Sequence, residues 1–237
     1  MTTQIADISP GQAAKTAGIG YVFIIVLAIF AEFFVRTQLV IPGDATTTTS
    51  NLLANTMLFR VGITSYLIAA IFDVVVALAL YVLLRPVNRS LALLAAWLRL
   101  VHATIFGMAL QNLFSVLHLL SGARYLKAFK PEEIQAQVML SLDGFNDGWL
   151  VGLVFFGLHC LVLGYLIIKS DYMPKVLGLL LALAAVGYLT DSFAHFLLRN
   201  YSDYEAVFLA IVGIPAIVAE VALCAWLLWK GSKLQLA

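Results

Sequence analysis

The 237-residue chain is 62% apolar and only 11% charged, with a formal net charge of +1. Soluble domains are about half apolar and roughly a quarter charged, so a water-soluble globule is excluded, and the near-zero charge carries no footprint for nucleic acid. The long apolar runs point to an all-α integral membrane bundle, because in hydrocarbon a helix pairs its own backbone groups.

Six runs exceed the ~20 residues needed to cross the bilayer core, and they define a single transmembrane domain over residues 1–237. The first covers 17–38, AGIGYVFIIVLAIFAEFFVRTQ. It is too long for a signal sequence and has no small-residue cleavage site before Glu32 and Phe33, so it is expected to stay as a span. The stretch PGDATTTTSN that follows opens with turn residues, and its Thr/Ser run supplies caps for a short outer helix. The second span covers 59–84 and stops at Arg85-Pro86, and the third covers 90–120. Next comes KPEEIQAQVMLSLDGF, in which Pro131, Glu132 and Glu133 mark a helix start. Ile134, Val138 and Leu142 share one face of that helix. Run straight into the fourth span, 145–168, it would reach ~60 Å, twice the membrane core. A break near Gly144 is therefore expected, with 131–142 lying on the outer surface as an interfacial helix; the alternative is one long helix standing proud of the bilayer. The fifth span covers 175–198 and the sixth 205–229.

The basic residues set a weak orientation. Lys15, Arg85, Arg89, Lys169, Lys175, Lys230 and Lys233 fall on one side, and Arg36, Arg60, Arg124, Lys127, Lys130 and Arg199 on the other. The larger set, seven against six, puts both termini in the cytoplasm, and four of its members fall in the short turns RPVNRS and KSDYMPK. These turns close two similar hairpins, a faint repeat of the kind transporters show. Cys160 and Cys224 both sit in apolar runs and read as buried thiols. There is no G-x-G-x-x-G, P-loop, C-x-x-C or H-E-x-x-H, and no cofactor is expected.

Several phrases are distinctive: AEFFVRTQLVIPGDA, LYVLLRPVNRSLALLAAWLRLVHA, GLVFFGLHCLVLGYLIIKSDYMPKVLGLLLALAAVGYLTDSF and AEVALCAWLLWKG. With LRPVNR and FFGLHC as the most specific parts, they resemble a bacterial multi-pass membrane family catalogued as domain of unknown function 4386, over roughly residues 15–232. The resemblance implies a six-span protein of the inner (cytoplasmic) membrane. It implies no activity, cofactor or catalytic residue.

The ionisable residues inside the spans carry what the sequence says of function, since such groups are costly in lipid. Counted from the cytoplasmic helix ends at 1.5 Å per residue, Asp73, Arg99, His102, His159 and Glu220 lie ~15–20 Å deep. Four helices thus bring them near one level, as a ligand-binding polar core or as a static network that glues helices together. Arg99 is expected to pair with one acid, Asp73 or Glu220. A second set, Glu32, Arg36, Gln111, Asn112, Asp147, Asp191 and His195, falls at ~24–35 Å and suggests a vestibule opening outward. Asp191 and His195 share a helix face, as do Asp143 and Asp147. A metal needs about three protein ligands, for which His118, Asp143, Asp147, Asp191 and His195 are only weak candidates.

Three classes of function follow. The first is binding or transport of a small or lipid-like ligand in the polar core. The second is a metal-dependent intramembrane hydrolase built on Asp191 and His195. The third is a structural or partner-stabilising subunit. The expected surroundings are the lipid bilayer and, for the first class, that ligand, with self-association compatible and nucleic acid excluded.

Overall fold

The structure, a computed structural model, describes residues 8–235. Seven α-helices make it up: α1 (Pro10–Leu39), α2 (Ala45–Ala54), α3 (Thr56–Leu84), α4 (Arg89–Leu119), α5 (Pro131–Lys169), α6 (Lys175–Leu197) and α7 (Glu205–Trp229). No strand occurs among the described residues. All but α2 are long and apolar enough to cross a membrane, so the chain is a multi-pass helical membrane bundle.

Local chemistry sets the helix ends. Pro10 opens α1 at the position where a missing N–H costs nothing. Ser9 and Gln12 then cap each other reciprocally, the Ser9 N–H donating to Gln12 Oε1 at 3.1 Å and the Gln12 N–H to Ser9 Oγ at 3.3 Å. Asp44 accepts from the Thr47 hydroxyl at 2.6 Å and from its N–H at 2.9 Å to start α2. The bond from that hydroxyl holds its carboxyl below the usual carboxylate range. Asn88 Oδ1 accepts from the Leu91 N–H at 3.0 Å at the head of α4. Inside α1, Phe30–Arg36 forms a π-helical stretch, a widened turn of the kind that often marks a functional position.

The break expected at Gly144 does not occur. Helix α5 runs without interruption through 39 residues, or ~58 Å. Its first part does not depend on a membrane surface for cover. Val138, Leu142 and Phe145 are buried in one apolar cluster with Leu52, Phe59, Leu110 and Leu113, and Ile134 packs against it. Gly144 itself lies against Asn112, where an added Cβ would come 3.1 Å from the amide oxygen. Protein neighbours on successive turns keep the helix continuous through a residue that weakens it by only about 1 kcal/mol.

The described chain divides into two compact units. The first takes the residues up to Val22, Phe72–His102 and those from Leu153 onward; the second takes Phe23–Ile71 and Ala103–Gly152. The second unit holds the cluster just described, centred on Tyr66, whose ring meets Phe106 edge-on at 5.6 Å and Phe145 at 5.6 Å. In the first unit α5 and α6 cross at Gly164 and Gly178, where backbone meets backbone. The turn between these helices is tied down by Tyr172, whose hydroxyl donates to the Leu83 carbonyl at 2.6 Å. Cys160 and Cys224 are free and buried, and Cys224 Sγ donates to the Gly18 carbonyl at 3.4 Å.

Candidate functional site

The first unit buries a charged cluster around Arg99, which is 1% exposed. A guanidinium is stable in such a place only if its donors are met and its charge is balanced. Both conditions hold. Arg99 Nε donates to Asp73 Oδ1 at 2.9 Å, and Nη2 reaches the same oxygen at 2.6 Å. Nη1 donates to the Tyr21 hydroxyl at 2.8 Å and lies 3.3 Å from His159 Nε2. The guanidinium carbon also sits 4.8 Å from the Tyr21 ring centre and 5.2 Å from that of Phe156, within cation–π range.

His159 takes its tautomer from these contacts. Its Nδ1 lies 2.8 Å from the Ala95 carbonyl, an acceptor only, so Nδ1 carries the hydrogen. Nε2 is then the bare acceptor for Arg99, and the ring is neutral. His102 Nε2 stands 3.8 Å from Asp73 Oδ2, and its ring meets Phe156 at 4.9 Å. Asp73 is thus the acid that pairs with Arg99.

Glu220 is placed differently. Its Oε1 accepts from the Tyr188 hydroxyl at 2.7 Å. Its Oε2 takes no hydrogen bond among the described residues, and the side chain is partly exposed. Glu220 lies within electrostatic reach of Arg99, Tyr21 and Cys160. The five residues of the expected core therefore all fall in one unit, with Asp73, Arg99, His102 and His159 closed in and Glu220 half open.

The residues expected to form a vestibule do not behave as one group. In the second unit, Glu32 and Arg36 on the π-helical stretch form a two-point ion pair, at 2.8 Å from Nε and 2.7 Å from Nη2. Arg36 Nη1 donates to Asn146 Oδ1 at 2.7 Å, and the Tyr66 hydroxyl to Glu32 Oε2 at 2.6 Å. Asn112 Nδ2 donates to the Ala109 carbonyl of its own helix at 3.3 Å. Gln111 and Asp147 are exposed. Asp191 and His195 belong to the first unit, and both meet Tyr201: its hydroxyl donates to Asp191 Oδ1 at 2.7 Å, and its ring lies 4.7 Å from the His195 ring. The weak metal candidates are likewise divided. His118, Asp143 and Asp147 are exposed in the second unit, and no three His, Cys, Asp or Glu side chains gather as a metal site among the described residues.

Tyr21, Tyr188, Tyr66, Tyr201 and Asn146 join these networks although depth along the helices does not single them out. A signal was present for three of them: a tyrosine buried in an apolar span needs a partner for its hydroxyl, and Tyr21, Tyr66 and Tyr188 each hydrogen-bond a charged side chain, whereas Tyr201 reaches Asp191 from the turn after α6.

The family model described as Domain of unknown function (DUF4386) matches residues 16–231. An uncharacterised protein of the archaeon Archaeoglobus fulgidus is 33% identical over 190 residues, covering 78% of this chain and 96% of that protein. That relative is archaeal, so the expected bacterial origin is not supported by it. No solved structure matches the chain.

Proposed function

Because the chain belongs to the DUF4386 family, which is defined by sequence and not by an activity, its function has to be read from the site, and we propose that it binds a small or lipid-like ligand at the Glu220–Tyr188 pair. One observation carries this reading. Glu220 sits in the middle of α7, partly exposed, with one carboxyl oxygen held by Tyr188 and the other unmet among the described residues. A half-satisfied carboxyl inside a span is expensive unless something covers it. Arg99, Asp73, Tyr21 and His159 form the closed cluster of the same unit, and the first three lie within its electrostatic reach. Their full satisfaction favours a second, structural role for that part of the cluster, as glue between helices. The hydrolase reading has no third ligand beside Asp191 and His195 among the described residues.

Native mass spectrometry of protein extracted in mild detergent tests the proposal. The wild type should retain a non-protein mass that Glu220→Gln loses and Tyr188→Phe loses in part, with both variants monodisperse. Retention by both variants, or a bare wild-type protein, overturns it.

We further propose a cytoplasmic-membrane location with both termini in the cytoplasm. The exposed Ser90 and Asp171 lie in the two basic turns. As single cysteines they should resist a membrane-impermeant maleimide in intact cells and react once the cells are permeabilised. Reaction of either in intact cells reverses the orientation.

A further inference from the structure

We infer that the ligand taken by Glu220 is a lipophilic cation, a hydrophobic molecule with a positive head. The inference rests on the Glu220–Tyr188 reading and names the class of ligand. Charge balance is the first argument. Tyr188 on α6 touches Glu220, and Tyr21 on α1, Cys160 on α5, Arg99 on α4 and Asp73 on α3 lie within its electrostatic reach. Arg99 is the one permanent cation among them, and Asp73 takes two of its donors while Tyr21 and His159 meet a third nitrogen. His159 contributes no charge, because its Nδ1 hydrogen is committed to Ala95 and its Nε2 accepts from Arg99. An ionised Glu220 would be the unbalanced charge of the cluster, with a neutral phenol as its one hydrogen-bond donor.

An anionic ligand therefore meets repulsion from Glu220 and finds no cation to bind, since Arg99 is buried and occupied. A positive head at Oε2 completes the balance in a low-dielectric setting where a single charge pair is strong. The hydrophobic body follows from the surroundings. Ile217 and Val221, beside Glu220 on α7, are 65% and 48% exposed. In a membrane that surface is covered by hydrocarbon, and a hydrophilic cation would have to cross lipid to reach it. A lipophilic cation arrives through the same medium and lays its apolar part on these side chains. A proton is the natural competitor, since a protonated Glu220 no longer attracts the cation. Binding therefore strengthens as pH rises and weakens as it falls.

The probe is tetraphenylphosphonium, which has a delocalised charge, no hydrogen-bond donor and an apolar exterior. Its binding to the detergent-solubilised full chain would be measured by equilibrium dialysis in buffers from acid to alkaline. The expected result is saturable binding that weakens in acid, falls by about tenfold or more in Glu220→Gln (about 1.4 kcal/mol or more) and survives in Glu220→Asp, which keeps the charge. If Glu220→Gln fails to fold, Glu220→Asp and the pH series on the wild type decide the matter. Equal binding by wild type and a folded Glu220→Gln overturns the inference, as does binding that does not respond to pH. No binding of the probe to the wild type also overturns it. In that event a neutral lipid retained through Glu220 would leave the ligand-binding reading standing, and the loss of both would end both.

Discussion

Arg99→Leu should leave the protein without a stable fold in detergent, with a loss of about 3–5 kcal/mol, the range for breaking a buried ion pair by removing one partner. The leucine fills the space but strands the Asp73 carboxylate, which is 4% exposed. It also leaves the Tyr21 hydroxyl and His159 Nε2 without the donor that both use. Arg99→Lys should rescue little, because one ammonium cannot reproduce a planar fork that reaches Asp73, Tyr21 and His159 together. Removing both charges, as in Arg99→Leu with Asp73→Leu, should recover much of the stability, since apolar replacement of a whole buried pair is often neutral or better. Thermal unfolding followed by monodispersity checks these outcomes. An Arg99→Leu protein that melts with the wild type would show that the cluster does not hold the unit together.

The second large effect lies at the crossing of α5 and α6. A Cβ on Gly178 would come 2.5 Å from the Gly164 carbonyl oxygen and 2.7 Å from Ile168 Cγ1, while one on Gly164 would come 2.6 Å from the Gly178 oxygen. Carbonyl oxygens belong to backbone that is already paired along its helix, so the helices themselves must separate. The short turn anchored by Tyr172 to Leu83 resists that movement. Gly178→Ala should cost about 1–3 kcal/mol as an overpacking change, and Gly178→Leu more. Changing both glycines should cost less than the sum, because each substitution opens the same contact. Gly213→Ala is the control. Nothing lies within 4 Å of the added Cβ there, so it should be silent or stabilise the helix by up to about 1 kcal/mol. Unfolding temperatures of Gly164→Ala, Gly178→Ala, Gly178→Leu, the double alanine variant and Gly213→Ala in one detergent measure this. A Gly178→Ala protein that matches Gly213→Ala would remove the crossing as a constraint.

Class, helix number and the level of the ionisable groups follow from the sequence by itself, because each is a one-dimensional property. Apolar run length answers to bilayer thickness, and depth along a helix answers to a constant rise per residue. That arithmetic brought Asp73, Arg99, His102, His159 and Glu220 to one level, and all five lie in one unit. The tertiary structure decided what depth does not contain: the rotation of each helix about its axis and the identity of the neighbour across it. Asp73 and Glu220 were equal candidates for Arg99 on depth alone, and helix facing gave the bonds to Asp73, 26 residues away, and to Tyr21, 78 residues away. The pair Asp191 and His195 was legible as a shared face of one helix, but Tyr201, from beyond the helix end, supplies the hydroxyl for one and the ring for the other. The vestibule drawn from depth likewise joined residues that belong to different units. The course of α5 through Gly144 was misjudged for the same reason. Bilayer thickness does not limit this helix, because side chains from α2, α3 and α4 bury Val138, Leu142 and Phe145 and hold it as one piece.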